Sequence, residues 1–328
     1  MQRWIRTIMA VATTTTLLAG AGCGAARFND TASGIRIMVP NKPGSGYDAT
    51  ARTVARSLED AGVLREVEVF NLPGGDGTVG LQRLVYERGN NQLLMLMGLG
   101  IVGSQYAHQA KTTLAETTPI ARLIEEPDIV VVPRDSPYQT LNDLIEAWRR
   151  DPASVIVGGG SVRGGPDHLA TMLVAQAINV PPRETHYKNY DGGGALLAAI
   201  LGQKVSVGVS GVGEYEPHIR SGQLRVLAVT SERRRPDLAA PTLREAGVDV
   251  TFTNWRGIVA PPGLGDADIA ALRTVIERLH DSDEWRQAMI RNGWTDAYLT
   301  ADEFARFLDR ENKRVAKVLA DLGLADGD

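Results

Sequence analysis

Cysteine is nearly absent: Cys23 is the only one among 328 residues, so no intramolecular disulfide framework is available. Aromatic residues make up only 5% of the chain. After the first segment no apolar run is long enough to cross a bilayer, since Leu93 to Val102 is short and is broken by Gly98 and Gly100. The five histidines, His108, His168, His186, His218 and His280, show no metal-ligand spacing, and no P-loop is present. Gly208-Val209-Ser210-Gly211-Val212 lacks the final glycine of a nucleophile elbow. With no nucleophile, base and orienter to nominate, the sequence points away from an enzyme, and neither a metal nor a cofactor is expected.

The first residues read as an export signal. Arg3 and Arg6 open it, an apolar run spans Ile8 to Leu18, and small residues lead to Cys23. The position of the cysteine resembles a bacterial lipoprotein signal, with Gly20 standing where such signals carry leucine. Lipidation at Cys23, or a plain signal with a leftover thiol, are the two alternatives. Residues 1–22 are the expected signal peptide and 24–33 a linker. Loss of Arg3 and Arg6 leaves 33 basic residues against 39 acidic ones, a net charge of −6. That balance argues against nucleic acid as a partner. Any anion site must therefore be made locally.

The chain is long enough for two lobes, and its 43% apolar and 23% charged content is that of a globular protein. Strands are expected at 35–39, 67–70 and 93–97, each running into small residues. The first loop is Pro40-Asn41-Lys42-Pro43-Gly44-Ser45-Gly46-Tyr47-Asp48, with Asp48 where a helix would start. Such a strand, loop and helix N-terminus suits an anion, because free amides and the helix dipole converge there. An ordinary turn remains the alternative. Ile120 to Val132 reads as a long strand leaving the first sheet. A second cycle has strands at 154–157, 185–187, 205–209 and 224–229, then a return strand at 255–260 and helices at 269–279 and 304–322. Alternation of this kind means largely parallel sheets with ligands at the carboxyl ends of the strands. Two sheets joined by crossing strands describe a hinged clamp.

Gly75-Asp76-Gly77-Thr78-Val79-Gly80 and Gly98-Leu99-Gly100-Ile101-Val102-Gly103 both match the dinucleotide fingerprint. Two matches in adjacent units devalue each other, and an exported protein has little access to a nicotinamide. Binding chemistry is clearer in Gly158 to His168, a glycine-rich loop opening into a helix. Arg163 can grip a carboxylate with two hydrogen bonds, or simply sit on the surface. His168 can donate to an anion, or cap its helix. Asp48 reads first as a helix cap, because a carboxylate beside an anion site repels the ligand.

Seven segments, in order, are similar to the extracytoplasmic solute-binding proteins of the tripartite tricarboxylate transporters, the TctC/Bug-like family. They are 43–52, 71–80, 158–169, 190–205, 222–230, 241–247 and 255–263, and together they span nearly the whole mature chain. The resemblance implies a type II periplasmic-binding α/β fold, each lobe a mostly parallel sheet flanked by helices. Lobe 1 is expected at 34–127 and 228–328, lobe 2 at 128–227. It implies capture of a small di- or tricarboxylate by Gly44, Ser45, Gly46, Tyr47 and Asp48, and by Gly74, Gly75, Asp76, Gly77 and Thr78. The second lobe would add Ser161, Arg163, Gly164, Asp167 and His168, with Tyr190, Gly192 and Ser210. Ser210 stands after a strand where many members place an acidic residue. Arg163 stands where many have a small one, which suits an extra carboxylate on the ligand. The implied partners are a membrane permease and, through Cys23, the lipid bilayer, with the protein itself a monomer outside the cytoplasm. A carboxylate-sensing subunit of a signalling system is the alternative role, and an exported enzyme acting on an organic acid a third.

Overall fold

Ile35, Ile37, Met38 and Val39 are all buried, so the first strand, β1 (Ile35–Val39), is apolar on both faces. Such a strand belongs inside a sheet that helices cover on both sides. In the computed structural model, which describes residues 34–213, 215–321 and 323, β1 pairs in parallel with β2 (Val67–Asn71) and β3 (Leu93–Gly98). Helices α1 (Gly46–Asp60) and α2 (Thr78–Tyr86) connect them, and α3 (Leu99–Ala107) follows β3 directly. The expected signal, Cys23 and the linker lie outside the described residues.

The expected strand 120–132 is two strands rather than one. Pro127, which has no amide to donate to a ladder, separates β4 (Thr118–Glu126) from β5 (Asp128–Pro133), and the chain changes sheets there. In the first sheet β4 and β3 flank the return strand β10 (Asn254–Ala260), and β11 (Thr295–Leu299) closes the edge; all three of these pairings are antiparallel. The order is β11-β4-β10-β3-β1-β2, so β1 to β4 point one way and the last two strands the other.

The second sheet has β5 antiparallel to β8 (Val207–Gly211) and β9 (Leu224–Val229), while β6 (Val157–Gly159) lies parallel between β8 and β7 (Tyr187–Asn189). Helices α4 (Leu141–Arg150), α5 (Pro166–Ala177), α6 (Gly193–Leu201) and the short α7 (Glu216–Arg220) complete this half. Helices α8 (Asp266–His280), α9 (Asp283–Asn292) and α10 (Ala301–Asp321) return to the first half. The architecture is a two-lobe α/β clamp.

Several expected boundaries move. β6 starts three residues and β8 two residues later than expected, and β8 also runs on to Gly211, which puts Ser210 inside it instead of after it. β9 runs in the second sheet to Val229, so the return crossing starts at Thr230, beyond the expected division at 228. Neither α9 nor β11 is predicted by hydrophobic pattern. α9 buries only Trp285, Ala288 and Met289, and β11 is an exposed edge strand without apolar alternation.

The two crossings between lobes are stitched at Thr230, which is fully buried. Its Oγ1 accepts from the Asp128 amide (2.8 Å) and donates to the Phe252 carbonyl (2.7 Å), while its own amide donates to the Asp128 carbonyl (2.9 Å). Trp255 keys β10 to the C-terminal helix: it meets Phe304 and Phe307 edge to face and donates Nε1–H to Glu311 at 2.9 Å. Each such ring pair adds about 0.5–1.5 kcal/mol beyond burial.

Candidate functional site

The parallel strands β1, β2 and β3 all end at the same edge of the first sheet, and helices begin there. At the first of these ends Ser45, not Asp48, is the N-cap: its Oγ accepts from the Asp48 amide at 3.2 Å. Asp48 is the reciprocal partner. Its carboxylate accepts from the Gly44 amide (2.9 Å), Arg52 Nε (3.0 Å) and Asn71 Nδ2 (2.9 Å). Burial alone would raise its pKa, but these three bonds outweigh burial and hold the group below the ordinary carboxylate value. The reading of Asp48 as the cap is therefore corrected. The carboxylate is consumed in fixing the loop, and the Gly46 and Tyr47 amides at the start of α1 donate to no described group.

The second loop turns through four consecutive left-handed residues, Gly74, Gly75, Asp76 and Gly77. Asp76 is the only one with a side chain, and its carboxylate meets His108 Nε2 at 2.5 Å. The Gly75 and Asp76 amides also donate to no described group, while Thr78 Oγ1 donates to the Gly75 carbonyl at 2.8 Å. The fingerprint glycines are accounted for by packing. A Cβ on Gly77 would overlap Ile101, and one on Gly80 would lie 2.7 Å from Pro40. On Gly98 and Gly100 it would meet the Trp255 carbonyl at 2.5 Å and the Tyr47 hydroxyl at 2.9 Å.

The second lobe repeats the first loop's device. The Gly160 amide donates to Asp167 Oδ2 at 2.6 Å, and Ser161 Oγ accepts from the Asp167 amide at 3.0 Å. Asp167 thus stands to Gly160 and Ser161 as Asp48 stands to Gly44 and Ser45. It differs in being paired with no cation: burial pushes its carboxyl up to about 7 against the bonds from Gly160 and Ser210. His168 Nδ1 accepts from the Gly164 amide at 3.1 Å and its ring stands on Tyr187 edge to face. Burial, helped by the Arg163 charge, lowers its pKa to about 4, so it is a neutral capping group. Arg163 is exposed and has no ion pair among the described residues. The Tyr190 and Gly192 amides donate to the Gly159 and Gly160 carbonyls at 2.8 and 3.1 Å, which sets the N-terminus of α6 beside the same loop.

The two edges face each other. α3 touches the 160–166 loop so closely that a Cβ on Gly103 would overlap the Gly164 carbonyl, and Gly100 approaches Pro166. Across the mouth, Lys42 Nζ meets Asp191 at 2.6 Å. The lobes are closed on one another.

At the base of this cleft lies a cluster that the sequence reading missed. Arg256, buried in β10, pairs with Glu126 and donates Nη1–H to Thr50 Oγ1 at 2.8 Å. A Cβ on Gly46 would lie 2.9 Å from this guanidinium. Asp128, 0% exposed, starts β5 opposite Gly211, beside Ser210, and neither of its carboxyl oxygens has a hydrogen-bond partner. Burial drives its pKa well above the carboxylate range; Asp167 and Glu126 push the same way and Arg256 opposes. The Tyr47 hydroxyl sits near the Gly100 and Ile101 amides without a hydrogen bond of good geometry. A signal was present in the sequence: charged residues flanking Pro127 and interrupting the apolar strand 254–260.

The profile of the tripartite tricarboxylate transporter family receptor matches residues 67–324. The chain belongs to that family. Protein BugT of Bordetella pertussis is 28% identical over 318 residues, covering 93% of this chain and 95% of its own. Among solved structures, a Rhodopseudomonas palustris protein with adipate shares the fold at a TM-score of 0.80, with 23% identity over 88% of this chain and 97% of its own. MatC of the same organism, with bound malate, superposes at 0.74 with 21% identity, covering 87% of this chain and 98% of its own. As a family receptor, the chain is built to bind a solute. Among its described residues no group of histidine, cysteine or acidic side chains is arranged to hold a metal, and no helix is long and apolar enough to cross a membrane.

Proposed function

We propose that the protein is an exported receptor that closes on a small carboxylate and hands it to a membrane permease. The observation that carries this reading is the facing of unpartnered amides across the cleft: Gly46, Tyr47, Gly75 and Asp76 from one lobe, and Gly193 and Gly194 at the N-terminus of α6 from the other. Helix N-termini and free amides favour a negative charge, and only a ligand between the lobes satisfies both sets at once. Structural neighbours bind malate and adipate, both small dicarboxylates. In this reading the first sheet's lobe and the second sheet's lobe hinge at Pro127 and Thr230. Loops 44–48, 74–78 and 161–168, with Tyr190, Gly192 and Ser210, form the lining. Delivery to a permease follows from the family's role, and a lipid anchor at Cys23 would hold the receptor beside it.

A thermal-shift panel of malate, succinate, adipate and citrate, against sugars and amines, tests the binding. A ligand that binds only the folded form adds about 2.7 kcal/mol at a hundredfold excess over Kd. Stabilisation by at least one carboxylate is expected; stabilisation by sugars and by no carboxylate overturns the assignment. Anchoring has its own check. Cys23→Ser should move the protein from the membrane fraction to the soluble one, and unchanged retention after a salt wash would remove the anchor.

A further inference from the structure

The cluster at the cleft base holds more negative than positive groups. Glu126 takes the charge of Arg256, and Asp128 and Asp167 are left without a cation. Asp128 is fully buried with both oxygens unpartnered, and it sits at the ligand edge of the second sheet beside Ser210 and Asp167. A Cβ on Gly211, its partner in β8, would lie 2.8 Å from Glu126, which pairs with Arg256 of the first lobe, so Asp128 stands at the junction of the two lobes. Buried carboxyls without partners are costly, and a cationic donor from a ligand would relieve that cost.

We propose that Asp128 and Asp167 form a subsite for the protonated amine of the ligand, so that the captured solute is an aminocarboxylate. This rests on the carboxylate-receptor reading, whose facing amides hold the acid end. An ammonium supplies three N–H donors to a pair of carboxylates that have two free oxygens on Asp128 alone. A carboxylate at the same place would suppress ionisation of the pair and gain no salt bridge from it, whereas an ammonium gains one from each group that ionises. Ser210 fits this arrangement. Its hydroxyl lies within reach of Asp167 and adds no further charge. Burial raises both carboxyls and an ammonium favours their ionised forms, so arrival of an amine shifts protons off the pair.

The test is titration calorimetry on the full chain with matched acids differing by one amine: succinate and aspartate, glutarate and glutamate, adipate and 2-aminoadipate. At least one aminated member should bind tenfold or more tighter than its partner. Asp128→Asn should bring that member down to the affinity of the acid lacking the amine. Repeating the wild-type titration in two buffers of different ionisation enthalpy should show proton release, a readout that needs no variant to fold. Equal or tighter binding of the plain acid in every pair overturns the aminocarboxylate inference and leaves the receptor reading standing. Binding by no acid of either kind overturns both.

Discussion

Arg256 shows what one buried charge demands. Its guanidinium is held by Glu126 and Thr50 and stacks over Trp294 at 5.9 Å, so both members of the pair are out of water. Removing one partner leaves the other charged and buried, which costs about 3–5 kcal/mol. Arg256→Met is therefore expected to lower denaturant stability by that amount. Adding Glu126→Gln should recover a large part of the loss, and a double variant no more stable than the single one would refute the pairing. Asp167 carries a pH signature. Burial raises its carboxyl from the ordinary 3.8 to about 7, so the folded protein keeps a proton that the unfolded chain releases. This contribution is full below the unfolded value, is lost as pH rises toward 7, and is absent above it. Asp167→Asn retains an acceptor for the Gly160 amide and cannot ionise. Denaturant titrations from pH 4 to pH 8 should show the variant gaining on wild type by up to about 4 kcal/mol. A pH-independent difference would remove the titration. His168 works in the opposite sense, its lowered pKa giving stability that is full above 6.5 and lost as pH falls through about 4, which is why the difference between proteins is the measurement. At this scale the loops were legible from glycine, serine and helix-start patterns. The roles of their acids were not, because Asp48 and Asp167 occupy the same local device; helical spacing puts Arg52 beside Asp48, but only the fold adds Asn71 to it and sets Asp128 near Asp167.

Among the elements, β4 and β5 mark where pattern reading stops. Two strands in succession do not reveal which of two sheets each joins, because each half buries residues on both faces. Likewise β1, β2, β3 and β10 were readable as strands from local apolarity, whereas α9 and β11 take their form from packing on neighbours. The contact between α3 and the 160–166 loop decides closure. Gly103 has no room for a side chain, since a Cβ would overlap the Gly164 carbonyl across the interface, and backbone cannot swing aside as a long side chain can. Gly103→Ala should thus hold the lobes apart while leaving each sheet intact. Small-angle scattering with ligand present should show a radius of gyration larger than that of wild type. Calorimetry should show weakened binding, with a melting temperature of the free protein within a few degrees. A variant that compacts like wild type on adding ligand would show that this contact does not control closure.

For the whole molecule, the closed arrangement needs a reason to persist and a reason to yield. The Thr230 stitch and the two crossings hold the lobes on a common hinge, but the contacts across the mouth are sparse and exposed. Lys42 and Asp191 meet at 2.6 Å with side chains 66% and 69% exposed. An ion pair that open to water is worth about 0–1 kcal/mol, and salt screens it further. It can therefore bias the equilibrium between open and closed forms without locking it, which suits a receptor that must both capture and release. Lys42→Ala should weaken ligand binding by no more than about fivefold at low ionic strength, the equivalent of about 1 kcal/mol. At about 1 M salt, where the screening length falls to about 3 Å, the two proteins should bind alike. The loss should appear chiefly as faster release, since the latch forms only once the lobes have met. Stopped-flow measurement of dissociation at both salt concentrations separates the outcomes. A tenfold or larger loss that survives high salt would mean that Lys42 touches the ligand, and the latch would have to be given up.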